Sequence, residues 1–387
     1  MTTTKQEIRA RGTTARAVRN TISAALAGLL AAAGCAQAAS TFNGPGDSSL
    51  TLGMWTSGAY TNTEQAGGVH HSDLSLDSFR IITVAQITKQ VSLMTNFARL
   101  EGESMRLLDL MAQIELTEGV NIAFGRLLVP GDRAQMAGPY FANVWEYPMV
   151  SRYPNAYTGR DNGATLWGNI LDKRLLYMAG VYQGKNRSAG LSNDSSRDYL
   201  YAGRIAWSFF EPETGYFGND DYFGTKEILT LGAAFQTQNN GVGLAGAKGD
   251  FTAWNIDALL QTRLSTGGHL TLEAAYYDYD TDGVADVAPN DPLCHHTSNC
   301  GGATQGDAWK VTAAYLFPTR IGIGQFQPYV RYQEFNPDSG PSNDQWDLGL
   351  TYVIAGHNTR ISGVYSSMGT DGGPSRDKFI LGLQYMY

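Results

Sequence analysis

The sequence predicts an all-β protein, a transmembrane antiparallel β-barrel of sixteen strands, with eighteen strands as the alternative count. Three observations lead to this fold class. Charged residues make up only 17% of the 387 residues, and the chain contains 45 glycines and 21 tyrosines, whereas a typical soluble domain is about 25% charged. Apolar and polar residues alternate with a period of two in stretch after stretch. The chain also ends on an aromatic residue, Tyr387.

The N-terminal segment has the features of a secretory signal peptide. A basic region precedes an apolar stretch from Ile22 to Gly34, and residues 36–38 (Ala-Gln-Ala) fit the small-x-small pattern of a cleavage site. The apolar stretch is shorter than the ~20 residues that a membrane-spanning helix needs. We therefore divide the chain into a signal peptide, residues 1–38, and a barrel domain, residues 39–387. Lipidation at Cys35 is the alternative.

Removal of the signal peptide makes the chain more acidic. It takes away five of the 28 Lys and Arg residues and one of the 36 Asp and Glu residues, which leaves 23 basic and 35 acidic residues and a net charge of −12. This balance does not favour nucleic acid as a partner. The sequence has no Gly-x-Ser-x-Gly motif and no phosphate-binding loop, so we expect no enzymatic activity and no cofactor apart from a calcium ion considered below.

The strands follow from the alternation. The last one carries Phe379, Leu381, Leu383, Tyr385 and Tyr387 on one face, which resembles the C-terminal recognition strand of bacterial outer-membrane barrels. An even number of strands returns the chain to the side on which it began. The predicted strands are residues 48–60, 72–88, 90–101, 105–117, 119–128, 160–170, 173–184, 197–209, 225–239, 250–263, 266–279, 305–317, 323–335, 343–355, 357–368 and 375–387.

The connections alternate between long and short, as extracellular loops and periplasmic turns do. The segment 210–224 is too long for a periplasmic turn, and a hidden strand pair there would give the count of eighteen. The longest connection, 129–159, is the third extracellular loop and is rich in aromatic residues, which favours an inward course against the barrel wall. An external loop packed on its neighbours is the alternative. The residues predicted to line a constriction are Asp132, Arg133, Tyr140, Trp145, Glu146 and Arg152.

Several motifs resemble those of the phosphate-selective porin O and P family of Gram-negative bacteria, over roughly residues 80–387. The resemblance implies a trimeric outer-membrane porin whose third loop narrows the channel, with small hydrophilic solutes or ions, such as phosphate, as its cargo. It also implies outer-membrane lipid and lipopolysaccharide as surroundings. A barrel that anchors a partner protein without conducting is the alternative function. The motifs are residues 125–131, 159–163, 176–184, 202–205, 228–232, 327–332 and 354–358.

Basic side chains at inward positions are the candidates for ion selectivity, because rings of charge select ions in a narrow pore. They share the lumen with Asp109, Glu115, Asp257 and Glu273, so a role as structural ion-pair partners stays open. The acidic mature chain argues for general diffusion over phosphate specificity. The predicted pore-lining residues are Arg80, Arg160, Arg174, Arg204, Lys310, Arg331 and Arg360.

Two features of one loop suggest a cross-link and a metal site. Cys294 and Cys300 lie close together in a Gly-, Asp- and Pro-rich segment of an exported chain, which favours a local disulfide. Upstream, acidic residues match several ligand positions of a calcium-binding loop, although its twelfth position is Pro289 instead of glutamate. A solvated acidic loop is the alternative. The candidate calcium ligands are Asp278, Asp280, Asp282 and Asp286.

Overall fold

The computed structural model describes residues 39–64, 68–100, 102, 104–153, 158–184, 198–244, 247–284 and 305–387. The predicted signal peptide, Cys294, Cys300 and Asp286 lie outside these residues. Seventeen strands and one five-residue helix are described. They are β1 (Ser40–Asn43), β2 (Ser49–Glu64), β3 (His70–Gln86), β4 (Val91–Leu100), β5 (Arg106–Thr117), β6 (Val120–Leu128), α1 (Arg133–Ala137), β7 (Arg160–Ile170), β8 (Leu175–Tyr182), β9 (Leu200–Ser208), β10 (Ile228–Leu244), β11 (Ala247–Arg263), β12 (His269–Asp280), β13 (Gly306–Leu316), β14 (Gln325–Pro337), β15 (Asn343–Val353), β16 (Thr359–Thr370) and β17 (Arg376–Met386).

Strands β2 to β17 form a closed antiparallel barrel of sixteen strands. Each strand pairs with the next along the chain, and β17 pairs with β2 through contacts such as Ile380 opposite Thr61. Closure leaves no open sheet edge, so the backbone hydrogen bonds of the wall are satisfied within the barrel. The short β1 pairs with the start of β2, Ser40 opposite Leu52, beyond the end of β17. The predicted count of sixteen is confirmed.

The outer face of the barrel is apolar, and its side chains alternate with buried ones. In β17, Leu381 and Leu383 are about half exposed, whereas Ile380 and Gln384 on either side of them are buried. Outward hydrophobic residues recur around the wall, which is the lipid-facing pattern of a transmembrane barrel. Among the described residues, no helix has the length and hydropathy needed to cross a membrane.

The interior of the barrel is mixed, with apolar and polar inward side chains on both parts of the wall. A connected apolar cluster on β3 to β8 includes Ile82, Val84, Met94, Met111, Ala123, Trp167 and Met178. The buried charged and polar residues of β11 to β17 include Asp257, Glu273, Lys310, Arg331, Asp347, Arg360 and Gln384, and those of β3 to β7 include Arg80, Asp109 and Arg160. Burial of ionised groups is tolerated only when they are paired and hydrogen-bonded, so these groups must find their partners inside the lumen.

Two connections enter the lumen from opposite ends. The third extracellular connection, residues 129–159, is termed loop L3, and the connection between β9 and β10, residues 209–227, is termed the periplasmic insert. In loop L3, Tyr140 and Trp145 are buried, and in the insert Tyr216 and Asp221 are buried. The described insert contains no strand, so the alternative count of eighteen is wrong. Its extra length is used to fill the barrel, not to extend its wall.

Candidate functional site

Loop L3 begins with a short helix whose cap anchors it to the wall. Asp132 caps α1 by accepting the backbone N–H of Gln135 at 3.0 Å. Its carboxylate also accepts hydrogen bonds from Ser151 Oγ at 3.0 Å and from the hydroxyl of Tyr277 in β12 at 2.7 Å. Burial raises the pKa of Asp132, an effect that Lys310 and these hydrogen bonds partly offset. Asp132 thus joins both ends of loop L3 to the wall, and it is buried instead of lining an aperture.

A buried network of two arginines and two carboxylates holds the start of loop L3. Arg204 in β9 binds Asp257 in β11 through two hydrogen bonds, of 2.6 and 2.8 Å. Arg133 of α1 donates its backbone N–H to Asp257 at 3.2 Å, and its guanidinium forms a two-pronged pair with Glu213 of the periplasmic insert at 2.7 and 2.9 Å. Two positive and two negative charges therefore balance in a region shielded from solvent.

The lowered pKa of Glu213 shows that this network favours the ionised form of its carboxylate. Burial alone would raise the pKa of Glu213, but the adjacent Arg133 guanidinium outweighs this effect, so that the pKa lies below its usual value. Arg133 also donates to the carbonyl oxygen of Asn219 at 2.7 Å. Arg133 therefore connects loop L3 to the insert at two points, and the carboxylate it binds stays ionised.

The middle of loop L3 crosses the lumen to the opposite wall. Trp145 lies against Gly382 of β17, where a Cβ atom would come within 2.2 Å of the indole ring. Glu146 pairs with Lys378 of β17, and its carbonyl oxygen accepts a hydrogen bond from Arg331 at 2.9 Å. A residue larger than glycine at position 382 would push the loop off the wall.

The far end of loop L3 reaches β11 and β12. The backbone N–H of Arg152 donates to the hydroxyl of Tyr279 at 2.9 Å, and its guanidinium lies 3.9 Å from the centre of the Phe335 ring. The hydroxyl of Tyr153 donates to Asn255 at 2.5 Å. Loop L3 is therefore held on the wall at both ends and across its middle, as its predicted inward course requires.

Four of the predicted pore-lining residues hold loop L3 or pair with wall carboxylates. Arg204 pairs with Asp257 and donates to the carbonyl of Gly131 at 3.0 Å. Lys310 pairs with Glu273. Arg331 pairs with Asp347 at 2.7 Å. Arg360 donates to the carbonyl oxygen of Ala142 in loop L3 at 2.6 Å. All four are buried. Their contacts are those of structural ion-pair and hydrogen-bond partners.

The predicted pore-lining residue Arg174 lies at the periplasmic rim of the barrel. Arg174 lies in the periplasmic turn before β8 and donates three hydrogen bonds of 2.7–3.1 Å to carbonyl oxygens of residues 208–210. The preceding residues, 171–173, all have positive φ angles. This left-handed turn places Arg174 at the end of the β8–β9 pairing, where its carbonyl oxygen accepts the backbone N–H of Ser208 at 2.8 Å. Its contribution to the pore stays a prediction.

The periplasmic insert is bound to loop L3 from below. The backbone N–H of Gly218 donates to the carbonyl of Met136 at 2.9 Å, and that of Asp220 donates to the carbonyl of Phe141 at 3.0 Å. The hydroxyl of Tyr216 donates to the carbonyl of Leu128 at 2.5 Å. Sequence reasoning registered the unusual length of this segment but missed its course. The signal for its inward course was its aromatic and acidic residues, since a short solvated turn rarely contains so many aromatic rings.

The insert is also bound to the wall at β11 and β14 and to the turn between β15 and β16. Asp221 accepts hydrogen bonds from the side-chain amides of Gln261 at 2.5 Å and Gln327 at 2.6 Å. His357, in the turn between β15 and β16, directs its Nε2 atom toward Asn219 Oδ1 at 3.0 Å and the carbonyl oxygen of Asp221 at 2.7 Å. Burial lowers the pKa of His357 to about 3, so the ring is neutral at physiological pH. Because both partners are acceptors, Nε2 carries the proton.

A cavity lies between loop L3 and the wall of β2 to β5. Its volume, counted as space open to the centres of water molecules, is about 50 Å³. Arg80 and Arg160 line it on the wall side, and Arg160 pairs with Asp109 at 3.0 Å. The remaining lining is mostly apolar and comprises Trp55, Ile82, Met94, Leu128, Met136, Ala137, Pro139, Tyr140, Phe141 and Phe217, with the polar Asn96 and Gln135. This cavity is the candidate functional site.

The acidic segment that resembles a calcium loop begins inside a strand. Asp278 and Asp280 belong to β12, where the chain is extended, and Asp282 accepts the backbone N–H of Asp250 at 2.9 Å. A calcium loop must wind around its ion, which an extended strand does not do. Among the described residues, no group of three or more His, Cys, Asp or Glu side chains is arranged to hold a metal ion. The described part of the segment therefore does not support the calcium prediction.

Asp220 of the insert is a carboxylate buried in the lumen, and its ionisation should cost stability. Its Oδ1 atom is buried without a hydrogen-bond partner. Burial, and after it the charge of Glu273, raises the pKa of Asp220 well above its usual value, although Lys310 and Arg133 oppose the effect. The folded protein therefore holds this proton to a higher pH than the unfolded chain does. The cost of ionising Asp220 is present above the folded-state pKa and is lost as pH falls through it.

We expect Asp220→Asn to stabilise the barrel at pH 8, by about 1 kcal/mol, and the gain to shrink as pH falls toward 4. The measurement is thermal unfolding in detergent, followed by tryptophan fluorescence at both pH values. Asp371→Asn, on an exposed extracellular turn, removes the same charge outside the lumen and should change nothing. An equal gain at both pH values would contradict the assignment.

A closed sixteen-stranded barrel with an apolar outer face and an inward third loop has the architecture of outer-membrane porins. No family model and no curated protein matches the chain. In solved structures, 178 chains match. OmpT of Vibrio cholerae is 12% identical, with 90% of this chain and 100% of that one covered and a TM-score of 0.56. The anion-selective porin from Comamonas acidovorans is 12% identical, with 88% and 100% covered and a TM-score of 0.55.

A third structure, Salmonella typhi OmpF in complex with daunomycin, is 14% identical, with 88% of this chain and 98% of that one covered and a TM-score of 0.57. At such identities the likeness establishes the fold. These neighbours are Gram-negative outer-membrane proteins, and the apolar belt of the barrel agrees with an outer-membrane location.

Proposed function

We propose that the protein is an outer-membrane porin through which small hydrophilic solutes and ions diffuse along the passage between loop L3 and the wall of β2 to β5. The observation that carries this proposal is the cavity at that position. It has basic residues on the wall side and loop L3 on the other, as expected of a constriction. Elsewhere the described middle and far segments of loop L3 are hydrogen-bonded to the wall.

The charges at the passage favour anions. Arg80, Arg160 and Asp109 are the charged residues of the described cavity lining, and together they carry a net charge of +1. This local charge opposes the acidic balance of the mature chain, and selectivity is set where the passage is narrow. Phosphate as cargo rests on the motif resemblance alone, since no family model matches. The absence of enzymatic activity and the surrounding lipid and lipopolysaccharide likewise stay predictions.

Assembly as a homotrimer belongs to the same proposal. One neighbour, OmpT of Vibrio cholerae, has a solved trimer form. Chemical cross-linking of the protein in detergent micelles is expected to give a species of three chains. Bilayer insertions that open in groups of three steps would support the same assembly.

A non-conducting anchor barrel is the second candidate, and a specific observation favours it. The periplasmic insert packs under loop L3, with Tyr216 and residues 219–221 buried, so segments enter the lumen from both ends. The two candidates differ in one property, which is whether ions pass through the barrel.

Purified protein in planar bilayers is expected to give stepwise conductance. In a salt gradient the reversal potential should have the sign of an anion-selective pore. Arg160→Gln should shift it toward cations, because it removes one of two positive charges beside Asp109. Lys173→Gln removes the same charge from an exposed periplasmic turn and is the matched control. Electrically silent insertions would reject the porin in favour of the anchor, and a cation-selective wild type would reject anion preference alone.

A further inference from the structure

We propose that the cavity between loop L3 and the wall of β2 to β5 binds small monocarboxylates that carry an apolar body, such as butyrate or benzoate. This inference rests on the proposed function, because the cavity lies in the proposed passage, and it names the class of solute that the passage retains. Three properties of the described lining carry it. One is a buried cation with an unused donor, the second is that the unpaired amide oxygens are acceptors, and the third is the apolar walls.

The cation is Arg80, whose side chain is buried without a carboxylate partner. It is 3% exposed, and among the described residues no Asp or Glu oxygen lies within 4.0 Å of it. Its Nε atom makes one long hydrogen bond, of 3.4 Å, to Ser78, and its Nη2 atom has no partner. A buried guanidinium without an anion is costly. A bound carboxylate would supply the missing charge and acceptor.

The carboxylate of the described cavity lining, that of Asp109, is already bonded to other groups. Asp109 accepts hydrogen bonds from Arg160 Nε at 3.0 Å and from the side-chain amide of Asn96 at 2.7 Å. Arg160 in turn also donates to the carbonyl of Thr158 at 2.7 Å. Of the two basic residues that line the cavity, Arg160 therefore already pairs with a carboxylate, whereas Arg80 has no such pair and keeps a donor for a ligand.

The remaining unused polar atoms argue against a polyanion. In the described lining, Arg80 Nη2 is a buried donor without a partner, whereas Asn96 Oδ1 and Gln135 Oε1 are buried acceptors without partners. Phosphate would bring four oxygens and up to two negative charges to this site, and it would face these two acceptors and the Asp109 carboxylate. A carboxylate brings a single charge and two oxygens, which suits a guanidinium edge.

The other walls of the cavity are apolar and partly aromatic. Trp55 lies 5.3 Å from Tyr140 and 5.4 Å from Phe141 between ring centres, and Ile82 and Met94 complete this side of the lining. The cavity volume of about 50 Å³ corresponds to about four water molecules. This volume holds the carboxylate end of the solute, and the apolar body extends along the apolar lining into the passage, where burial of its surface adds to the affinity.

The test measures binding and conduction separately. Isothermal titration of the purified barrel in detergent uses acetate, butyrate, benzoate, benzamide and inorganic phosphate as probes. We expect butyrate to bind about tenfold tighter than acetate, because it adds two methylene groups. Benzoate should bind at least tenfold tighter than the neutral benzamide and than phosphate. In bilayers, benzoate should reduce the chloride current at lower concentration than acetate does.

Two variants separate the charge from the apolar walls. Arg80→Gln should weaken benzoate about tenfold or more and leave benzamide unchanged. Met94→Gln keeps the side-chain length and the charge of Arg80, so it should reduce the preference for butyrate over acetate. Lys173→Gln, at the exposed periplasmic turn, should bind like the wild type. The folded state of each variant is checked by its heat-dependent mobility in detergent gels.

The outcomes are distinguishable from failure of the proposed function. Phosphate binding as tight as benzoate, or an Arg80→Gln variant with unchanged benzoate affinity, overturns the inference even if the barrel conducts. Silent bilayers overturn the porin and the transport role, while tight benzoate binding in detergent would still establish the site. Binding and current reduction with the expected order support both proposals.

Discussion

Replacement of residues 212–226 by an Asn-Gly turn is expected to raise the single-channel conductance several-fold. The segment removed is most of the periplasmic insert, which lies in the lumen beneath loop L3 and binds it through the backbone N–H groups of Gly218 and Asp220. The wall should survive, because Glu211 N already donates to the carbonyl of Glu227 at 3.0 Å. A two-residue turn suits such a pair of antiparallel strands.

The matched control replaces residues 371–374 by the same turn. This extracellular segment is exposed, so its shortening should leave the conductance unchanged. Conductance is measured in planar bilayers at high salt for the wild type and both variants. If the variant without the insert had the wild-type conductance, the insert would not obstruct the passage. Loop L3 alone would then form the constriction.

Asp257→Ala is expected to lower the free energy of unfolding by about 3–5 kcal/mol, the usual cost of leaving a buried partner charge uncompensated. Asp257 is 1% exposed and receives two hydrogen bonds from Arg204 and one from the backbone of Arg133. Its removal leaves a guanidinium in the lumen without its carboxylate and frees the start of loop L3. Urea unfolding in lipid vesicles, followed by tryptophan fluorescence, measures the loss.

A second variant distinguishes charge from packing. Asp257→Ala combined with Arg204→Leu removes both members of the pair, and it should recover a large part of the lost stability, because no unpaired charge of that pair stays buried. Glu118→Ala removes one member of the exposed pair with Lys173 and should have little effect. A loss below about 1 kcal/mol for Asp257→Ala would contradict the structural role of the network.

The barrel wall was largely predictable because its determinants are local. Alternation with a period of two is imposed by the strand backbone, and one face of every strand contacts lipid. Residues 160–170 and 343–355 were predicted as strands, and β7 and β15 occupy residues 160–170 and 343–353. The strand count depended only on where the chain reverses, and Gly marks some of those reversals, such as Gly119, Gly267 and Gly372.

The roles of the inward arginines were not predictable in the same way. The alternation correctly directs Arg331 and Arg360 into the lumen, but it does not say that loop L3 will lie against them. Their hydrogen bonds go to carbonyl oxygens of Glu146 and Ala142, more than two hundred residues away along the chain for Arg360. Arg174 likewise donates to carbonyl oxygens, those of residues 208–210 at the periplasmic rim, which the alternation does not indicate.

The sequence by itself determined the sixteen-stranded barrel, its apolar outer face and the loop that turns inward, because these depend on periodicity and on the length and composition of single segments. The tertiary structure decided how the lumen is filled. It brought the periplasmic insert against loop L3, paired most of the inward cations, and left Arg80 with a free donor in an apolar cavity. Those outcomes depend on which distant groups meet in a medium of low dielectric, where an unpaired charge is costly.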